Sequence, residues 1–147
     1  MASTKATIGY LSEFFIGDSS SPVNYPSMLE VKSIKQNTMS VPVIDATHLL
    51  SPDATEEKLP GLIKPGTVDI SGNFIGDTTQ LNILALAKAR TVFPFKVTAP
   101  VNKGTQTYTA TGNGFISKYD NGPFEASKLG EFAMSMEITG TITETVA

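Results

Sequence analysis

His48 is the only histidine in the 147-residue sequence, and Asp45 lies three residues before it. A histidine that is oriented by a carboxylate can act as a general base, so this pair is the first candidate for catalytic chemistry. No serine or cysteine nucleophile stands out beside the pair, and a single histidine in a loop is far more often a surface residue. An enzyme centred on His48 and Asp45 is therefore a minor hypothesis, and unchanged activity in His48→Ala would end it.

The other reactive residue types are too few or too dispersed for a metal or nucleotide site. The chain has no cysteine and no second histidine, the ligands that most zinc sites use. Asp53, Glu56 and Glu57 lie beside Lys58, a pattern typical of a solvated loop tip. The Gly-Asn-Gly sequence at 112–114 lacks the last glycine and the helix of a nucleotide-binding loop. We therefore expect no catalytic, cofactor-binding or metal-binding residue, and a protein that is not an enzyme.

The aromatic residues Tyr108, Phe115, Tyr119 and Phe124 are a candidate stacking surface for a sugar or a single-stranded nucleic acid. Arginine and lysine are not interleaved with them, which favours packing in a core instead. A carbohydrate- or protein-binding β-sandwich module stays open as an alternative. It requires Tyr108, Tyr119 and Phe124 to form one exposed patch.

The overall charge argues against a nucleic-acid-binding domain. The net charge is −3, the isoelectric point is near 5.1, and the basic residues are scattered singly. Only 17% of the residues are charged, less than the usual quarter, which suggests that other subunits cover part of the surface. No apolar run approaches the roughly 18 residues of a membrane helix, so no membrane association is expected. The lack of cysteine fits synthesis in a reducing cytoplasm.

Threonine occupies every second position in two segments, 105–111 and 139–145. A period of two is that of a β-strand, in which alternate side chains face opposite sides of the sheet. In the run that leads into and through the second segment, the opposite positions are apolar and are interrupted only by Gly140: Phe132, Met134, Met136, Ile138 and Ile142. The pattern predicts strands with one buried face and one neutral face of hydroxyl groups.

The remaining elements predict a mainly β protein. Strands are expected in 28–36, 39–46, 67–74 and 91–98, the first two as a hairpin around Asn37-Thr38. One helix is expected at about 78–90, with Asp77 as N-cap and Gln80 at the capping-box position. Six or seven strands with one flanking helix favour a single antiparallel β-sandwich or barrel. The helix is apolar around nearly its whole circumference, which predicts burial on more than one side, one of them against another subunit.

Residues 47–66 form a long segment with three prolines and two glycines. Long loops inside compact domains are usually functional or disordered. A free loop would not normally expose five large aliphatic side chains. We therefore expect this loop to contact a neighbouring subunit through Leu49, Leu50, Leu59, Leu62 and Ile63.

The order of several short motifs resembles the tail tube proteins of long non-contractile-tailed bacteriophages. The resemblance spans nearly the whole chain, and the order of the motifs carries more weight than any one of them. The motifs are Phe15-Ile16-Gly17-Asp18, Leu29-Glu30-Val31-Lys32-Ser33-Ile34, Ile44-Asp45-Ala46-Thr47-His48-Leu49, Pro60-Gly61-Leu62, Gly72-Asn73-Phe74, Phe93-Pro94-Phe95 and Met136-Glu137-Ile138-Thr139-Gly140.

The resemblance implies a single tail-tube domain over 1–147, with an N-terminal arm at 1–27 and an inter-subunit loop at 47–66. Such subunits form six-membered rings, and the rings stack into a tube through which DNA and the tape-measure protein pass. The implied partners are further copies of the chain, the tape-measure protein, and the tail-tip and tail-terminator proteins. The implied location is the virion tail, after assembly in the host bacterial cytoplasm. A tube component of another tail-like injection machine is the near alternative.

A conduit for DNA must not hold it, because every retained phosphate contact would oppose sliding. The neutral threonine face fits such a wall. It lines either the lumen or the tube exterior, and both orientations stay open. The candidate lumen residues are Thr107, Thr109, Thr111, Ser135, Glu137, Thr139 and Thr141.

Overall fold

A computed structural model describes residues 3–17, 26–36 and 39–147 of the chain. In these ranges the backbone forms eight strands and one α-helix. The elements are β1 (Glu13–Ile16), β2 (Val31–Gln36), β3 (Val43–Asp45), β4 (Lys58–Pro60), β5 (Thr67–Asn73), α1 (Thr78–Ala89), β6 (Phe93–Val101), β7 (Gln106–Asn121) and β8 (Glu131–Val146).

Six strands form one antiparallel sheet in the order β1-β6-β7-β8-β5-β2, and β3 and β4 form a separate two-stranded sheet. The large sheet curls so that its two ends approach each other. Residues just before β2 pair with β1: Ser27 bridges Phe15, and Met28 donates its N–H to the Phe14 carbonyl at 2.9 Å. The predicted mainly β, antiparallel fold with one flanking helix is confirmed, and the sheet takes the form of a curled half-barrel.

One face of the curled sheet forms the hydrophobic core, because alternate residues of each strand point inward. Helix α1 lies on this face, with Ile83 fully buried and Leu86 and Ala87 packed against the core. The other side of the helix is open, and Leu81 is 55% exposed. The buried apolar residues include Phe14, Ile16, Val68, Ile70, Phe93, Phe95, Val97, Ile116, Phe132, Met134, Met136 and Ile138.

Helix α1 confirms the predicted helix and its N-cap, but Gln80 acts differently from the prediction. The Asp77 side chain accepts a hydrogen bond from the Gln80 N–H at 3.0 Å, as an N-cap does. The Gln80 side chain does not return to Asp77. Its oxygen accepts from the Ile75 and Gly76 N–H groups, and its Nε2 donates to the Asn73 carbonyl at 2.9 Å. This buried glutamine therefore ties the helix to the end of β5.

The predicted hairpin between residues 28–36 and 39–46 is wrong. Strand β2 pairs with β5, and β3 pairs with β4. Asn37 and Thr38, the predicted turn, lie outside the described residues. Segment 47–66 is also more structured than a plain loop, since it contributes β4 to a hairpin. Within the predicted arm at 1–27, strand β1 belongs to the main sheet.

Strands β7 and β8 are sixteen residues each, and they stay paired across two irregularities. The register shifts between Thr111 and Asn113, so the ladder has a bulge next to Gly112. Gly114 serves a different need, because a Cβ atom there would lie 2.5 Å from the Glu137 carbonyl oxygen. Only glycine allows the two backbones to approach this closely.

Candidate functional site

The face of the large sheet opposite the core is polar, and it includes the threonine ladders. Residues directly opposite each other in an antiparallel pair share a face. Thr109 lies opposite Thr145, Thr111 opposite Thr143, and Asn113 opposite Thr139. The pairs that extend this face into β5 are Glu137 with Thr67 and Ser135 with Asp69.

The predicted lumen residues are brought together by this register, with one exception. Thr107 alternates with Thr109 and Thr111 on β7, and Ser135 and Glu137 alternate with Thr139 on β8. Thr141 lies in the bulge opposite Gly112, where the ladder is interrupted. We refer below to the surface built from Thr107, Thr109, Thr111, Ser135, Glu137, Thr139 and their cross-strand neighbours as the polar face.

Charges of both signs lie on the polar face, and several of them contact other side chains. Lys96 lies over the ring of Phe15, 4.6 Å from its centroid, and Lys118 approaches Asp120 at 3.4 Å. Ser135 donates its hydroxyl to Asp69 at 2.7 Å. A surface of this kind offers neither a nucleophile with its base nor a cluster of cations for phosphate groups.

The second feature is a hairpin arm, residues 40–64, which is built from β3 and β4. Ile44 and Leu59 are directly opposite each other, and both are more than half exposed. Within the described residues, neither strand contacts another helix or strand. An isolated two-stranded hairpin is at best marginally stable in water, so this arm is expected to be completed by a partner.

All five predicted interface residues lie exposed on this arm. Leu49 is fully exposed at the tip, and Leu50 beside it is 86% exposed. Leu62 and Ile63 lie near the base, and Leu62 is 88% exposed. The structure thus confirms that the large aliphatic side chains are uncovered in the single chain. Whether they contact a neighbouring subunit stays a prediction.

A network of hydrogen bonds holds the tip of the arm together. The Glu57 carboxylate accepts from the Ser51 hydroxyl at 2.7 Å, and His48 Nε2 lies 3.1 Å from the same oxygen. His48 Nδ1 accepts from the Leu50 N–H at 3.2 Å. Thr47 closes the end of the hairpin by accepting from the Glu57 N–H at 2.9 Å. This network fixes the backbone that carries Leu49 and Leu50.

The network does not form the hypothetical catalytic pair. His48 is bound to Glu57, not to Asp45, and its Nδ1 is occupied by a backbone donor. Ser51 donates to the carboxylate rather than to the imidazole, so no base activates its hydroxyl. Asp45 instead accepts from the Thr47 N–H at 2.9 Å. Hydrogen bonds from the side chain and backbone of Thr47 lower the pKa of Asp45.

Sequence reasoning missed Ser51 and Glu57 as the partners of His48. These contacts depend on the pairing of β3 with β4, which brings residues 46 and 57 together. The signal that was present is the apolar pair of Ile44 and Leu59, one on each side of a turn that contains Pro52. Taken as cross-strand neighbours, they would have indicated the hairpin.

The aromatic residues do not form the exposed patch that the carbohydrate-binding alternative requires. Tyr119 is half-buried and stacks on Phe132, with ring centroids 6.2 Å apart. Phe124 packs against Phe74, and Tyr108 lies toward the other end of β7. The Tyr108 hydroxyl donates to the Glu144 carboxylate at 2.7 Å. Burial, followed by this hydrogen bond, raises the pKa of Tyr108 to about 12.

Between residues 3 and 147, leaving out the two internal gaps, no three histidine or carboxylate residues come together as a cation site requires. In this part of the chain no helix has the length and apolar character needed to cross a membrane.

The fold is similar to solved structures of tail tubes. The tail of an empty gene transfer agent particle with C6 symmetry aligns with a TM-score of 0.68 and 15% identity over 90% of this chain and 95% of that chain. The SPP1 tail tube aligns at 0.64 and 11% identity over 92% and 77%. The sheath–tube complex of PVC, an extracellular contractile injection system, aligns at 0.67 and 13% over 94% and 90%.

The sequence matches no protein-family model, and no curated protein matches it at a significant level. At identities of 11–15%, the structural similarity establishes the fold alone. Both contractile and other tail-like particles occur among the similar structures.

Proposed function

We propose that this chain is a structural subunit of a tail tube, in which six-membered rings stack around a lumen and the polar face forms the inner wall. In this role the protein is not an enzyme and needs no cofactor. Its role is to build a tube of defined shape whose inner wall does not retain the DNA that passes through it. The fold similarity to tubes of C6-symmetric particles supports the six-membered ring.

The single observation that carries the proposal is the composition of the polar face. The described strands bring four lysines to it: Lys32, which lies 2.9 Å from Glu131, Lys35, Lys96 and Lys118. Five carboxylates accompany them: Glu13, Asp69, Asp120, Glu131 and Glu137. Between these charges lie threonine, serine and asparagine. Since DNA binding requires neutralisation of phosphates by lysine or arginine, such a wall lets a duplex slide.

The partners follow from this role. Further copies of the chain form the tube, and the tape-measure, tail-tip and tail-terminator proteins meet its lumen and ends. DNA passes through without specific binding. The protein resides in the virion tail after assembly in the host cytoplasm.

A second candidate is the tube of a contractile injection machine. It is favoured by the similarity to the sheath–tube complex of PVC, an extracellular contractile injection system. In that case the lumen and rings are the same, and the outer surface contacts a sheath protein. Expression with the products of neighbouring genes, followed by imaging, separates the two, because only the contractile machine gains an outer layer.

Electron microscopy of the purified protein tests the proposal. We expect rings or tubes with six-fold symmetry, formed either spontaneously or when seeded with a tail-tip complex. Image averages should place the polar face toward the lumen. A protein that stays monomeric at every concentration, with or without seeds, would overturn the proposal.

A further inference from the structure

Helix α1 and the start of β6 form an uncharged groove on the surface of the subunit. Its volume is about 500 Å³, within the usual range of binding pockets. Among the residues that the structure describes, no acidic or basic side chain lines it. The apolar residues that line it include Ala85, Leu86, Ala89, Val92, Phe93 and Pro94.

The groove belongs to the side of α1 that the core does not cover. Ala85 and Ala89 are exposed, and Val92 is 52% exposed. An apolar helix side of this kind is normally covered. The hairpin arm of the same chain does not cover it, because no residue between 40 and 64 lines the groove.

We propose that the groove receives the tip of the hairpin arm from a second copy of the chain. The tip presents Leu49 and Leu50 on a backbone held by His48, Ser51 and Glu57. A rigid apolar tip loses little conformational entropy on docking, so it suits an apolar groove. The inference rests on the proposed function and adds which surface accepts the arm.

The charges beside the two surfaces are complementary. Lys88 and Arg90 are exposed at the end of the helix, next to the groove, and no salt bridge in the described ranges involves either. On the arm, the carboxylate of Asp53 is exposed and likewise has no ion pair there. Docking therefore brings an acidic tip to a basic rim, which fixes its orientation.

The alternative acceptor, a groove beside Tyr108, fits less well. Its volume is about 630 Å³, but Glu144 lines it. It is also lined by Met39 and Ile63 from the base of the same chain's arm. A leucine docked there would meet a carboxylate.

An arm that docks on a different surface makes a head-to-tail contact. Each copy then offers a free tip to one neighbour and a free groove to another. Such contacts close into a ring or continue as a helical stack, according to the rotation between copies. One contact type therefore suffices to propagate the assembly.

Cysteine cross-linking tests the inference, because the natural chain contains no cysteine. The variant carrying Leu50→Cys and Ala85→Cys should give a ladder of disulfide-linked subunits when assembled tubes are oxidised. The matched control pairs Leu50→Cys with Thr111→Cys on the polar face and should stay monomeric on the same gel. If tubes form but the two variants cross-link equally, the groove is not the acceptor, while the proposed function stands.

Charge exchange gives a second readout that does not depend on distance. Asp53→Lys and Lys88→Glu should each raise the protein concentration for half-maximal assembly about tenfold, equivalent to roughly 1.4 kcal/mol. The double variant should return to within about threefold of the natural protein, since the two charges then attract again. If the effects of the two substitutions on assembly simply added in the double variant, Asp53 and Lys88 would not be paired and the proposal would be overturned. If residues 18–25 of the same chain filled the groove, the effects of Asp53→Lys and Lys88→Glu would also be additive, and the proposal would be overturned.

Discussion

The imidazole of His48 and the carboxylate of Glu57 meet at 3.1 Å across the end of the hairpin arm, nine residues apart in the sequence. The contact joins the two chain segments that carry the exposed leucines. It is a structural contact at the tip of an otherwise unsupported hairpin, and the first prediction concerns its removal.

Glu57→Ala should loosen the tip while leaving the body of the protein unchanged. The substitution removes the acceptor for Ser51 and His48, at about 0.5–1.5 kcal/mol per hydrogen bond. Amide exchange at residues 46–57 should accelerate, while the melting temperature should hold, because the arm supports no other element. Glu56→Ala is the matched control, since Glu56 only approaches Lys58 at 3.8 Å. Equal exchange in the two variants would contradict the role of the network.

Leu62→Asp combined with Ile63→Asp should block assembly without unfolding the subunit. Both side chains are exposed in the single chain, so aspartate costs little there but cannot be buried in an interface. Circular dichroism should match the natural protein, and sedimentation should show monomers. Leu129→Asp, at another exposed leucine, is the control and should still assemble. If the double variant still formed normal tubes, the arm would not be part of the interface between subunits.

Under the proposed function, Thr139→Lys should make the lumen wall retain DNA instead of releasing it. Each subunit would add one phosphate contact, and binding should weaken steeply with salt. We expect assembled tubes of this variant to retain short duplex DNA that nuclease cannot reach. Thr139→Glu should retain none, and Thr78→Lys, on the exposed side of α1, should bind only nuclease-sensitive DNA. If tubes of the Thr78→Lys variant instead retained DNA that nuclease cannot reach, the lumen would be lined by the exposed side of α1 and not by the polar face.

Gly114→Ala should destabilise the fold by about 1–3 kcal/mol, the usual cost of overpacking. The new Cβ atom would lie 2.5 Å from the Glu137 carbonyl oxygen, so β7 and β8 would have to separate. Urea denaturation measures the loss. Gly9→Ala meets its nearest atom at 3.9 Å and should change stability by no more than about 0.5 kcal/mol. A neutral Gly114→Ala would show that the strands adjust freely.

Stability should fall as the pH rises from 10 toward 12. The pKa of Tyr108 is raised in the folded protein to about 12, so the folded state holds its proton more tightly than the unfolded state. This contribution is complete below pH 10 and is lost as the pH approaches the folded pKa. Thermal melts of the natural protein and Tyr108→Phe check this, because the variant should lose less stability over that interval. If the natural protein and Tyr108→Phe lost the same stability between pH 10 and pH 12, the loss would come from groups other than Tyr108.

Local patterns were enough to predict the core elements. The period-two runs at 132–138 and the capped apolar run at 78–89 report on neighbours one to four residues apart, so they can be recognised in the sequence. The exposed leucines of the arm were also recognised, because five aliphatic residues in a proline-rich segment have no core to join.

Pairings between distant residues could not be predicted in the same way. Strand β2 pairs with β5, across the whole arm, whereas the sequence favoured its immediate neighbour. The contact of His48 with Glu57 depends on the register of β3 with β4. A three-residue strand carries too little periodicity to fix that register, so only the folded chain reveals which acid the histidine meets.

The position of β8 between β7 and β5 has a consequence for synthesis on the ribosome. Among the described strands it is the latest in sequence, yet it lies inside the sheet. Until it emerges, the nascent chain has no continuous sheet and no closed core beneath α1. Strands β5 and β7 meanwhile present bare edges that only β8 can join. The sheet of the subunit can therefore be completed only after translation has passed Glu131–Val146.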